Sequence, residues 1–485
     1  MNKMEKLIFE KSVPGRKGLR IPSADVPRTK GLPAELLSSI DSKLPEVSEQ
    51  DVVRHYTRLS RLNFSVDTEF YPLGSCTMKY NPKVLEKVAE LPGFQFIHPL
   101  LCYLEGGEGL VQGCLAVIHE LEVLIAEITG MDSVTTSPMA GAQGEMTGIL
   151  IISAYHKKRG NNKKYVIVPD SSHGTNPASA VMAGYEIITV PSLKNGEMDI
   201  EEFKKVLNGE TAAVMMTCPN TLGIFETRIG EIARLAHNAG ALMYYDGANL
   251  NAIMGKVKPG EAGFDVVHVN LHKTFGTPHG GGGPGSGPVG VKKELAEFLP
   301  APVIKKNRSG NYSLLPENDN CIGRVAGFFG NFGVLVKAYA YILLLGREGL
   351  INVSEQAVLN ANYIREKLKG YYYLPYDRIC MHECVFSAEK QLPNGVHAID
   401  IAKGLIEKGI HPPTVYFPLI VKESMMIEPT ETENRETLDN FISAMKDIAE
   451  TAIRAPEKLL SAPVNTPVTR LDETKAARET RLCFG

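Results

Sequence analysis

The stretch Asp265-Val-Val-His-Val-Asn-Leu-His-Lys-Thr-Phe-Gly276 decides the fold, and Lys273 is its central residue. The valines predict a short buried strand, and the residues from Asn270 to Thr274 leave that strand at its carboxyl end. The ammonium group of a lysine packed beside apolar strands is destabilised, which favours the neutral, nucleophilic amine. Such an amine can form a Schiff base with a carbonyl group. A lone lysine is more often a solvated surface residue, so the neighbouring sequence has to support this interpretation.

A glycine-rich segment follows the lysine, with glycines from Gly280 to Gly283 and at positions 285 and 287, before a second strand-like run, Pro288–Val291. Within it, Gly285-Ser-Gly-Pro-Val-Gly290 matches the dinucleotide-binding pattern G-x-G-x-x-G as a string. That pattern requires a preceding strand and a helix that opens on the glycines, whereas this string leads into a strand. The glycines therefore predict a turn after the lysine, and no dinucleotide site.

Composition excludes several classes of function. The chain has 485 residues, enough for two or three domains, and its apolar fraction of 44% and charged fraction of 22% are ordinary for a globular enzyme. The formal net charge of -3 argues against nucleic acid and acidic membranes as partners. The first residues lack the apolar region of a signal peptide, and the longest apolar run, Ala338–Leu345, is too short to cross a bilayer. We expect a cytoplasmic protein.

Metal-ligating residue types are present, but their spacing is unfavourable. Eight scattered cysteines form no CxxC pair, which indicates reduced thiols of a cytosolic protein. The string Cys380-Met-His-Glu-Cys384 lacks the second ligand pair of a zinc site. His268 and His272 are four residues apart, but on an extended segment without the glutamate of H-E-x-x-H. We expect no metal ion.

Apolar strands and helices alternate from Gly109 onward. A long apolar-periodic helix from Leu110 to Ile128 ends at Thr129-Gly130, and a second helix opens within Ser137–Glu145. Short, nearly all-apolar strands separated by helices indicate a mainly parallel sheet covered on both faces. The predicted strands are Lys164–Val168, Tyr185–Val190, Ala212–Thr217, Ala241–Tyr245, Val266–Val269 and Pro288–Val291, and the helices between them are Pro177–Ala183, Ile200–Leu207 and Ile229–Ala239.

Polar residues follow four of these strands at their carboxyl ends, where ligands of such sheets bind. They are His173, Asn220, Asp246 with Asn249, and Lys273. Each has a structural alternative, because His173 or Asp246 could cap a helix and Asn220 could be a turn residue. The small residues at the helix start, Gly141-Ala-Gln-Gly, either present free backbone N–H groups to a phosphate or allow tight packing. Together, these residues predict a ligand site.

The first 108 residues show little periodicity and are expected to form an arm and interface segment. Their most unusual part is the loop Phe70-Tyr-Pro-Leu-Gly-Ser-Cys-Thr-Met-Lys-Tyr-Asn-Pro82, which is rich in small, hydroxyl and cationic residues. It is either a plain connector or a pocket loop in which Ser75, Thr77 and Lys79 meet an anion. Both interpretations stay open.

The C-terminal region follows a different pattern. We expect a large α/β domain at residues 109–333 and a smaller α+β domain with a polar tail at residues 334–485. The loop His411–Pro418 is locked by prolines and is either a lid on a pocket or a rigid connector. The predicted elements of this region are the helices Leu335–Leu345, Ser354–Leu368, Ala398–Lys408 and Glu436–Ala455 and the strands Tyr371–Leu374 and Cys384–Phe386.

The order of these features resembles that of the fold type I pyridoxal-phosphate enzymes, in which a His-bearing loop, a strand-end aspartate and a His-Lys pair follow one another. Longer strings resemble the P-protein of the glycine cleavage system, glycine dehydrogenase (decarboxylating). They are Phe70–Lys79, Gly141–Glu145, His173–Ala180, Asp246–Asn249 and Asn270–Phe275. The chain has half the length of the one-chain form of that family and holds the lysine, so it resembles subunit 2 of the two-subunit form. The implied architecture is the fold type I PLP-dependent transferase fold, with a mainly parallel large domain and a smaller C-terminal α+β domain.

The resemblance also implies roles for individual residues. Lys273 would carry pyridoxal 5'-phosphate as a Schiff base, Asp246 would keep the pyridine nitrogen protonated, and His173 would stack on the ring. No arginine lies soon after Lys273, so the phosphate would depend on backbone N–H groups, hydroxyls or a neighbouring chain. The further cofactor-binding residues would be Gly141, Ala142, Gln143, Asn220, Asn249, His272 and Thr274.

The implied reaction is that of glycine dehydrogenase (aminomethyl-transferring). Glycine loses carbon dioxide, and its aminomethyl group passes to the lipoyl arm of the H-protein. Ser75, Thr77 and Lys79 are candidate donors to the glycine carboxylate. The implied obligate partner is subunit 1, in a dimer of heterodimers.

Two alternatives remain. One is another fold type I enzyme, such as a serine hydroxymethyltransferase or a carbon–sulfur lyase, which would not be expected to carry Gly74-Ser-Cys-Thr-Met-Lys79. The other is a catalytically silent scaffold subunit, against which the presence of Lys273 and Asp246 argues.

Overall fold

The computed structural model describes residues 4–19, 21–27, 31, 33–37, 43–280, 285–480 and 482. The predicted turn glycines at positions 281–283, and Cys483, lie outside these ranges. Within them, the chain forms a seven-stranded sheet, a three-stranded sheet and a two-stranded hairpin.

The seven-stranded sheet is the centre of the larger part of the molecule. Its spatial order is β1-β7-β6-β5-β4-β2-β3. The pairs from β3 to β6 are parallel, which confirms the predicted mainly parallel sheet, whereas β7 runs antiparallel between β1 and β6. The strands are β1 (Ser133–Thr135), β2 (Tyr165–Pro169), β3 (Glu186–Val190), β4 (Thr211–Thr217), β5 (Leu242–Gly247), β6 (Val266–Val269) and β7 (Val289–Val291). The sequence pattern revealed neither the short strand β1 nor the reversed direction of β7.

The inner strands are apolar because helices cover both faces of the sheet. Neighbouring residues of a strand point to opposite faces, so Val267 joins one buried cluster while Val266 joins the other. The first cluster includes Leu121, and the second includes Ile152, each from a covering helix. Apolar residues on both faces thus bury the sheet between two layers of helices.

The helices agree with the predicted ones to within a few residues, with one exception. Two predicted helices are joined into Phe332–Leu368, which is interrupted at Gly346, where φ is 59°. Only glycine adopts this conformation readily, so it marks the break. The helices are α1 (Glu49–Ser60), α2 (Val84–Ala89), α3 (Pro92–Gln95), α4 (Gln112–Thr129), α5 (Gly141–Lys158), α6 (Thr175–Met182), α7 (Ile200–Val206), α8 (Ile229–Asn238), α9 (Leu271–Thr274), α10 (Phe332–Leu368), α11 (Ala398–Glu407), α12 (Arg435–Arg454), α13 (Pro456–Ser461) and α14 (Glu473–Arg478).

The C-terminal part is built on a small antiparallel sheet. After the hairpin β8 (Val303–Lys306) and β9 (Tyr312–Leu315), the strands β10 (Cys384–Ser387), β11 (Thr414–Val415) and β12 (Ser424–Ile427) pair in the order β10-β12-β11. Helices α11 and α12 cover this sheet through a buried apolar cluster. The hairpin, β11 and β12 were not predicted, and the predicted strand Tyr371–Leu374 contributes only a single bridge, from Tyr373 to Ser387. We refer to this part as the small domain, and the exact domain boundaries stay predictions.

The loop at residues 70–82, which we call the N-terminal loop, extends the small sheet. Leu73 forms an antiparallel bridge with Ile427, and the N–H of Gly74 donates to the carbonyl oxygen of Met426 at 3.3 Å. The loop therefore lies between the small domain and the large sheet.

One stretch of the described chain, Gly107–Thr129, is long and apolar enough by composition to cross a membrane. Its side chains Leu115, Ile118, Leu121 and Ile125 are buried in the core beside the large sheet. This packing accounts for the apolar composition of the helix.

Candidate active site

A cavity of about 180 Å³ opens at the carboxyl ends of β4, β5 and β6. The structure brings together there the lysine, the aspartate and the histidine that follow three different strands, as the rule for parallel sheets expects. The lining residues are Ser75, Gly141, Ala142, Glu145, His173, Thr175, Thr217, Pro219, Thr221, Asp246, Ala248, Asn249, Asn270, His272, Lys273 and Glu383.

Lys273 projects from the one-turn helix α9 and contacts the N-terminal loop. Its Nζ donates a hydrogen bond of 2.6 Å to the carbonyl oxygen of Ser75. Ser75 has a left-handed backbone with φ of 62°, which is uncommon for a residue other than glycine. The small domain holds this conformation, because the N–H of Ser75 donates to Glu383 Oε2 at 2.9 Å. Lys273 thus connects the large sheet to the small domain through Ser75.

Asp246 ends β5 and is almost completely buried. Its carboxylate accepts hydrogen bonds from the N–H of Ala248 at 3.1 Å and from Thr217 Oγ1 at 3.3 Å. Burial alone would raise the pKa of Asp246, but His268, the N–H of Ala248 and the nearby Lys273 outweigh it and lower that pKa overall. Asp246 therefore stays ionised and can pair with a cation.

A second carboxyl group, Glu145 of helix α5, lies beside Asp246. Its Oε1 accepts a hydrogen bond of 2.8 Å from Thr175 Oγ1, and the same hydroxyl lies 2.7 Å from His173 Nδ1. Burial and the charge of Asp246 raise the pKa of Glu145 to about 8, so one of the two carboxyl groups is neutral. The N–H of Thr175 also lies 3.3 Å from His173 Nδ1, so both the backbone and the hydroxyl of Thr175 hold the ring of His173 in place.

His268 of β6 supports both carboxyl groups from within the sheet. Its Nε2 lies 3.5 Å from Asp246 Oδ1 and 3.9 Å from Glu145 Oε1, and its Nδ1 lies 2.9 Å from the hydroxyl of Tyr244. Burial lowers the pKa of His268 to about 4, so the ring is neutral near neutral pH. It therefore contributes a dipole and a hydrogen-bonding edge rather than a charge.

The start of helix α5 forms the opposite end of the cavity. An added Cβ at Gly141 would lie 2.6 Å from Oδ1 of Asn270, and one at Gly287 would lie 2.2 Å from the carbonyl oxygen of Ala140. Only glycine allows these segments to approach the helix start so closely. Gly141 and Ala142 line the cavity, and the N–H groups of a first helical turn have no partner within the helix. This end of the cavity suits an anion.

The small domain supplies the remaining side. His382 Nε2 accepts a hydrogen bond of 2.5 Å from Asn249 Nδ2, which leaves the amide of Asn249 turned toward the small domain. Glu383 lines the cavity beside Ser75, and Glu428 lies behind it.

The side chains of two predicted cofactor-binding residues, Gln143 and Thr274, form hydrogen bonds elsewhere in the chain. The amide of Gln143 bonds the backbone of Met139 and Val325, so only its backbone N–H in the first turn of α5 stays available. Thr274 is fully buried, and its hydroxyl accepts from the N–H of Asn251. Neither side chain lines the cavity.

Asn220 does not line the cavity, and its contacts favour the turn-residue alternative. Its Oδ1 accepts from two N–H groups of its own turn, and its Nδ2 donates to the carbonyl oxygen of Gly196. His272 does line the cavity, and its Nδ1 accepts from the N–H of Ser286 at 3.3 Å.

The side chains of Thr77 and Lys79, two of the predicted substrate contacts, likewise bond outside the cavity. Lys79 is buried away from the cavity, where its Nζ pairs with Glu431 Oε1 at 2.5 Å and donates to the carbonyl oxygen of Thr274 at 2.7 Å. The hydroxyl of Thr77 donates to Glu428 at 2.5 Å. Of the three candidate donors, only Ser75 lines the cavity.

Sequence reasoning missed several lining residues. Glu145, Thr175 and Asn270 lie inside the strings that carry the family resemblance. A polar side chain close to the end of a strand or the start of a helix is the sequence signal that points to them. Glu383 lies in the segment Cys380–Cys384, which the sequence analysis considers only as a zinc site. The sequence feature that indicates a buried site residue there is the His-Glu pair directly before an apolar strand.

Comparison with known proteins agrees with the geometry. A family model described as "Glycine cleavage system P-protein" matches residues 23–314, more than half of the chain. A second model, "Glycine dehydrogenase, C-terminal domain", matches residues 353–465.

Relatives match along almost the whole chain. The probable glycine dehydrogenase (decarboxylating) subunit 2 of Caldanaerobacter subterraneus subsp. tengcongensis is 57% identical over 476 residues, which cover 97% of each chain. The protein of the same description from Listeria monocytogenes is 55% identical over 477 residues, covering 98% of this chain and 96% of the relative.

Solved structures share the fold. An inhibitor-bound glycine decarboxylase (P-protein) of the glycine cleavage system superimposes with a TM-score of 0.71 at 23% identity, over 86% of this chain and 93% of that one. A cysteine desulfurase from Thermococcus onnurineus gives a TM-score of 0.61 at 16% identity, over 79% and 95% of the two chains. The predicted fold type I architecture is confirmed.

Proposed function

The chain belongs to the P-protein family of the glycine cleavage system, and we propose that it decarboxylates glycine and transfers the aminomethyl group as glycine dehydrogenase (aminomethyl-transferring). The observation that carries this proposal is the meeting of Lys273, Asp246 and His173 in one cavity. These are an amine, an ionised carboxylate and a flat ring at the carboxyl ends of parallel strands.

Pyridoxal 5'-phosphate is the cofactor that these residues fit. Buried polar atoms of Glu145, Asn249 and Asn270 at the cavity have no hydrogen-bond partner within the described chain, so polar atoms of a ligand can satisfy them. The helix start at Gly141 suits its phosphate, and Asp246 suits its pyridine nitrogen. When bound, the cofactor accepts the electron pair that stays on carbon as carbon dioxide leaves.

Lys273 and Ser75 act on the lysine side of the cavity. Lys273 would hold the cofactor covalently through Nζ, for which the amine of glycine would compete. The carbonyl oxygen of Ser75, 2.6 Å from Nζ, accepts a hydrogen bond from the free amine. This contact keeps the free amine close to its point of attachment.

Asp246, His173 and Glu145 act on the ring side. Asp246 would hold a proton on the ring nitrogen, because its own pKa is lowered and it remains ionised. His173 would contact the ring, and the orientation of His173 depends on Thr175 and Glu145.

The described residues that line the cavity offer the carboxylate of glycine few cationic partners. Among the lining residues of the described chain, Lys273 is the one lysine and no arginine is present. A carboxylate that has to leave as neutral carbon dioxide loses its charge in the transition state, so a strong ion pair would stabilise the ground state instead. The absence of such a pair is consistent with decarboxylation.

The proposed partners are the lipoylated H-protein, as acceptor of the aminomethyl group, and subunit 1. Relatives carry the description "subunit 2", which supports a partner subunit in a dimer of heterodimers. Leu343, Leu344 and Leu359 of helix α10 are each more than half exposed, as expected of a surface that is covered in an assembly. A cytoplasmic location is part of the proposal.

The test is exchange between the carboxyl group of glycine and labelled bicarbonate, with and without subunit 1 and H-protein. We expect exchange when all components are present, and its absence with a cofactor-loaded complex would contradict the proposal. An absorbance spectrum distinguishes the scaffold alternative, because a scaffold binds no pyridoxal phosphate and stays colourless. Turnover of serine or of a sulfur amino acid instead of glycine would favour another fold type I enzyme.

A further inference from the structure

Glu383 and Glu428 lie opposite each other at the ends of two neighbouring strands of the small sheet, behind Lys273. Cys384 of β10 pairs with Ile427 of β12 in antiparallel register, so Glu383 and Glu428 are the next opposed pair. Their carboxyl groups and a ring nitrogen of His382 lie within 4.8 Å of one another. Like charges directly opposite each other on neighbouring strands are destabilising, and both of these side chains are buried.

The hydrogen bonds around this pair do not balance two negative charges. Glu383 accepts from the N–H of Ser75, and Glu428 Oε1 accepts from Thr77 Oγ1 and Asn251 Nδ2. Glu428 Oε2 has no partner within the described chain. Neither glutamate forms an ion pair with a lysine or arginine of the described chain, so two buried charges would remain uncompensated.

We propose that Glu383 and Glu428 share a single proton and that the pair, with its one negative charge, positions the amine of Lys273 through the backbone of Ser75. The identity of Lys273 as the reactive lysine rests on the proposed function. Glu383 and Glu428 are positioning residues, because their hydrogen-bonded connection to the reacting amine runs through Ser75 and their charge acts on that amine at a distance.

The backbone of Ser75 is the link between the pair and the lysine. Glu383 fixes its N–H, Thr414 Oγ1 donates to the carbonyl oxygen of Gly74 at 2.7 Å, and Lys273 Nζ donates to the carbonyl oxygen of Ser75. A left-handed φ in a residue other than glycine persists only where neighbouring contacts hold it. Loss of the acceptor at Glu383 would therefore move the carbonyl oxygen that Lys273 uses.

The electrostatics of the pair agree with one shared proton. Burial and the charge of Glu428 raise the pKa of Glu383 well above its ordinary value, and burial raises the pKa of Glu428 to about 7. His382 does not supply a compensating charge, since burial lowers its pKa to about 3. The remaining titratable groups that act on the pair are Lys273 from the large sheet, Cys76 from the N-terminal loop, and Cys380 and Glu431 from the small domain.

Infrared spectroscopy of the full chain with labelled glutamate counts the protons directly. The carboxylic-acid signal of each variant is subtracted from that of the wild type at neutral pH. With one shared proton, Glu383→Gln and Glu428→Gln each lose one acid signal, because the remaining glutamate ionises, and the double variant loses no more than either single one. Loss of two signals in the double variant, or of none in any variant, would overturn the proposal. Glu436→Gln, an exposed position on α12, is the control and should lose none.

The second arm measures the position of Lys273 by the rate at which added pyridoxal phosphate attaches to it, trapped by borohydride and located by peptide mapping. Each single Gln variant keeps one charge and one acceptor for Ser75, so its rate should stay within about threefold of the wild type, roughly 0.65 kcal/mol. In the double variant the pair carries no negative charge to hold the ammonium form of the amine, so attachment at neutral pH should be about tenfold faster than in the wild type.

Glu383→Leu separates positioning from charge. It removes the acceptor for Ser75, so attachment should slow at every pH by about tenfold or more, whereas Glu383→Gln restores it. Equal attachment rates in the wild type, the double variant and Glu383→Leu would overturn the positioning role. If the leucine variant does not fold, the comparison of the wild type with the double variant gives the answer. If pyridoxal phosphate attaches to no lysine or to a different one in the wild type, the proposed function fails instead, while the infrared result still counts the shared proton.

Discussion

The two sides of the cavity differ in how their charges are arranged and in how far the sequence predicts them. The strand-end side carries His173, Asp246 and Lys273, each placed where a strand of the large sheet ends. The small-domain side carries Glu383 and Glu428, placed by antiparallel pairing of strands that are far apart in sequence. The first side holds an ionised carboxylate surrounded by donors, and the second holds a carboxyl pair with too few donors. The comparison teaches that the residues at the ends of parallel strands can be predicted from the sequence. The residues that the small domain adds to the site depend on how the two domains pack together.

The largest effect should come from the strand-end side. Lys273→Ala should abolish covalent cofactor attachment and glycine decarboxylation together, because no other amine lines the cavity among the described residues. Absorbance spectra and glycine–bicarbonate exchange measure both losses. A borohydride-reducible adduct that persists on the variant would contradict the assignment.

Asp246→Asn should come next. An amide does not hold a proton on the ring nitrogen, so the variant should keep some cofactor but lose about a thousandfold in exchange rate, roughly 4 kcal/mol in barrier. Steady-state exchange with a cofactor-loaded variant measures it. A rate close to that of the wild type would show that the buried carboxylate has no such role.

Lys79→Met sharpens the comparison, because it removes a lysine near the site that is structural. Its buried partner Glu431 would be left unpaired, which should lower the free energy of unfolding by about 3 kcal/mol. Denaturant titration measures the loss, and cofactor attachment to Lys273 should persist in the folded protein. The double variant Lys79→Met/Glu431→Leu should recover part of the stability, and unchanged stability of the single variant would refute the ion pair as a structural contact.

Glu145→Gln tests the neutral carboxyl group on the strand-end side. In the folded protein Glu145 keeps its proton up to about pH 8, against an ordinary pKa of 4.5, so the folded state binds more protons and its stability falls as pH rises through that window. The glutamine variant lacks this titration, so its midpoint of thermal unfolding should fall less between these pH values. Identical slopes for wild type and variant would show that Glu145 is ionised.

The smallest effects should come from the hydroxyls of the N-terminal loop. Ser75→Ala should change apparent glycine affinity by less than about twofold, roughly 0.4 kcal/mol, because Ser75 acts through its backbone. Thr77→Ala should cost about 1 kcal/mol of stability through its lost hydrogen bond to Glu428, with little change in affinity. Glycine titration and denaturant unfolding separate the two outcomes. A larger loss of affinity with Ser75→Ala would mean that its hydroxyl contacts the substrate.

The sequence predicts the large sheet and the residues at its strand ends because both follow local patterns. All-apolar runs of strand length identify β2, β4, β5 and β6, and polar residues after them converge by topology alone. The antiparallel direction of β7 has no such signature, since its apolar run fits either direction.

The small-domain side was not predictable for a physical reason. Whether Thr77 and Lys79 face the cavity or the interior depends on how the loop pairs with β12, and local composition does not encode that docking. Lys79 is a candidate donor to an anion in the sequence because it is a cation in a polar loop. In the structure its ammonium group pairs with Glu431, 352 residues later. The sequence leaves the role of Asn220 open, because an amide at the end of a strand can stabilise a turn as well as bind a ligand.

Reduction of the cofactor-loaded protein by borohydride, followed by proteolysis and mass spectrometry, is the most direct test of the site as a whole. We predict that the pyridoxyl group is found on the peptide that contains Lys273, and that glycine added before reduction lowers the yield of that peptide. A pyridoxyl group on another lysine, such as Lys79, or the absence of any labelled peptide, would contradict the assignment.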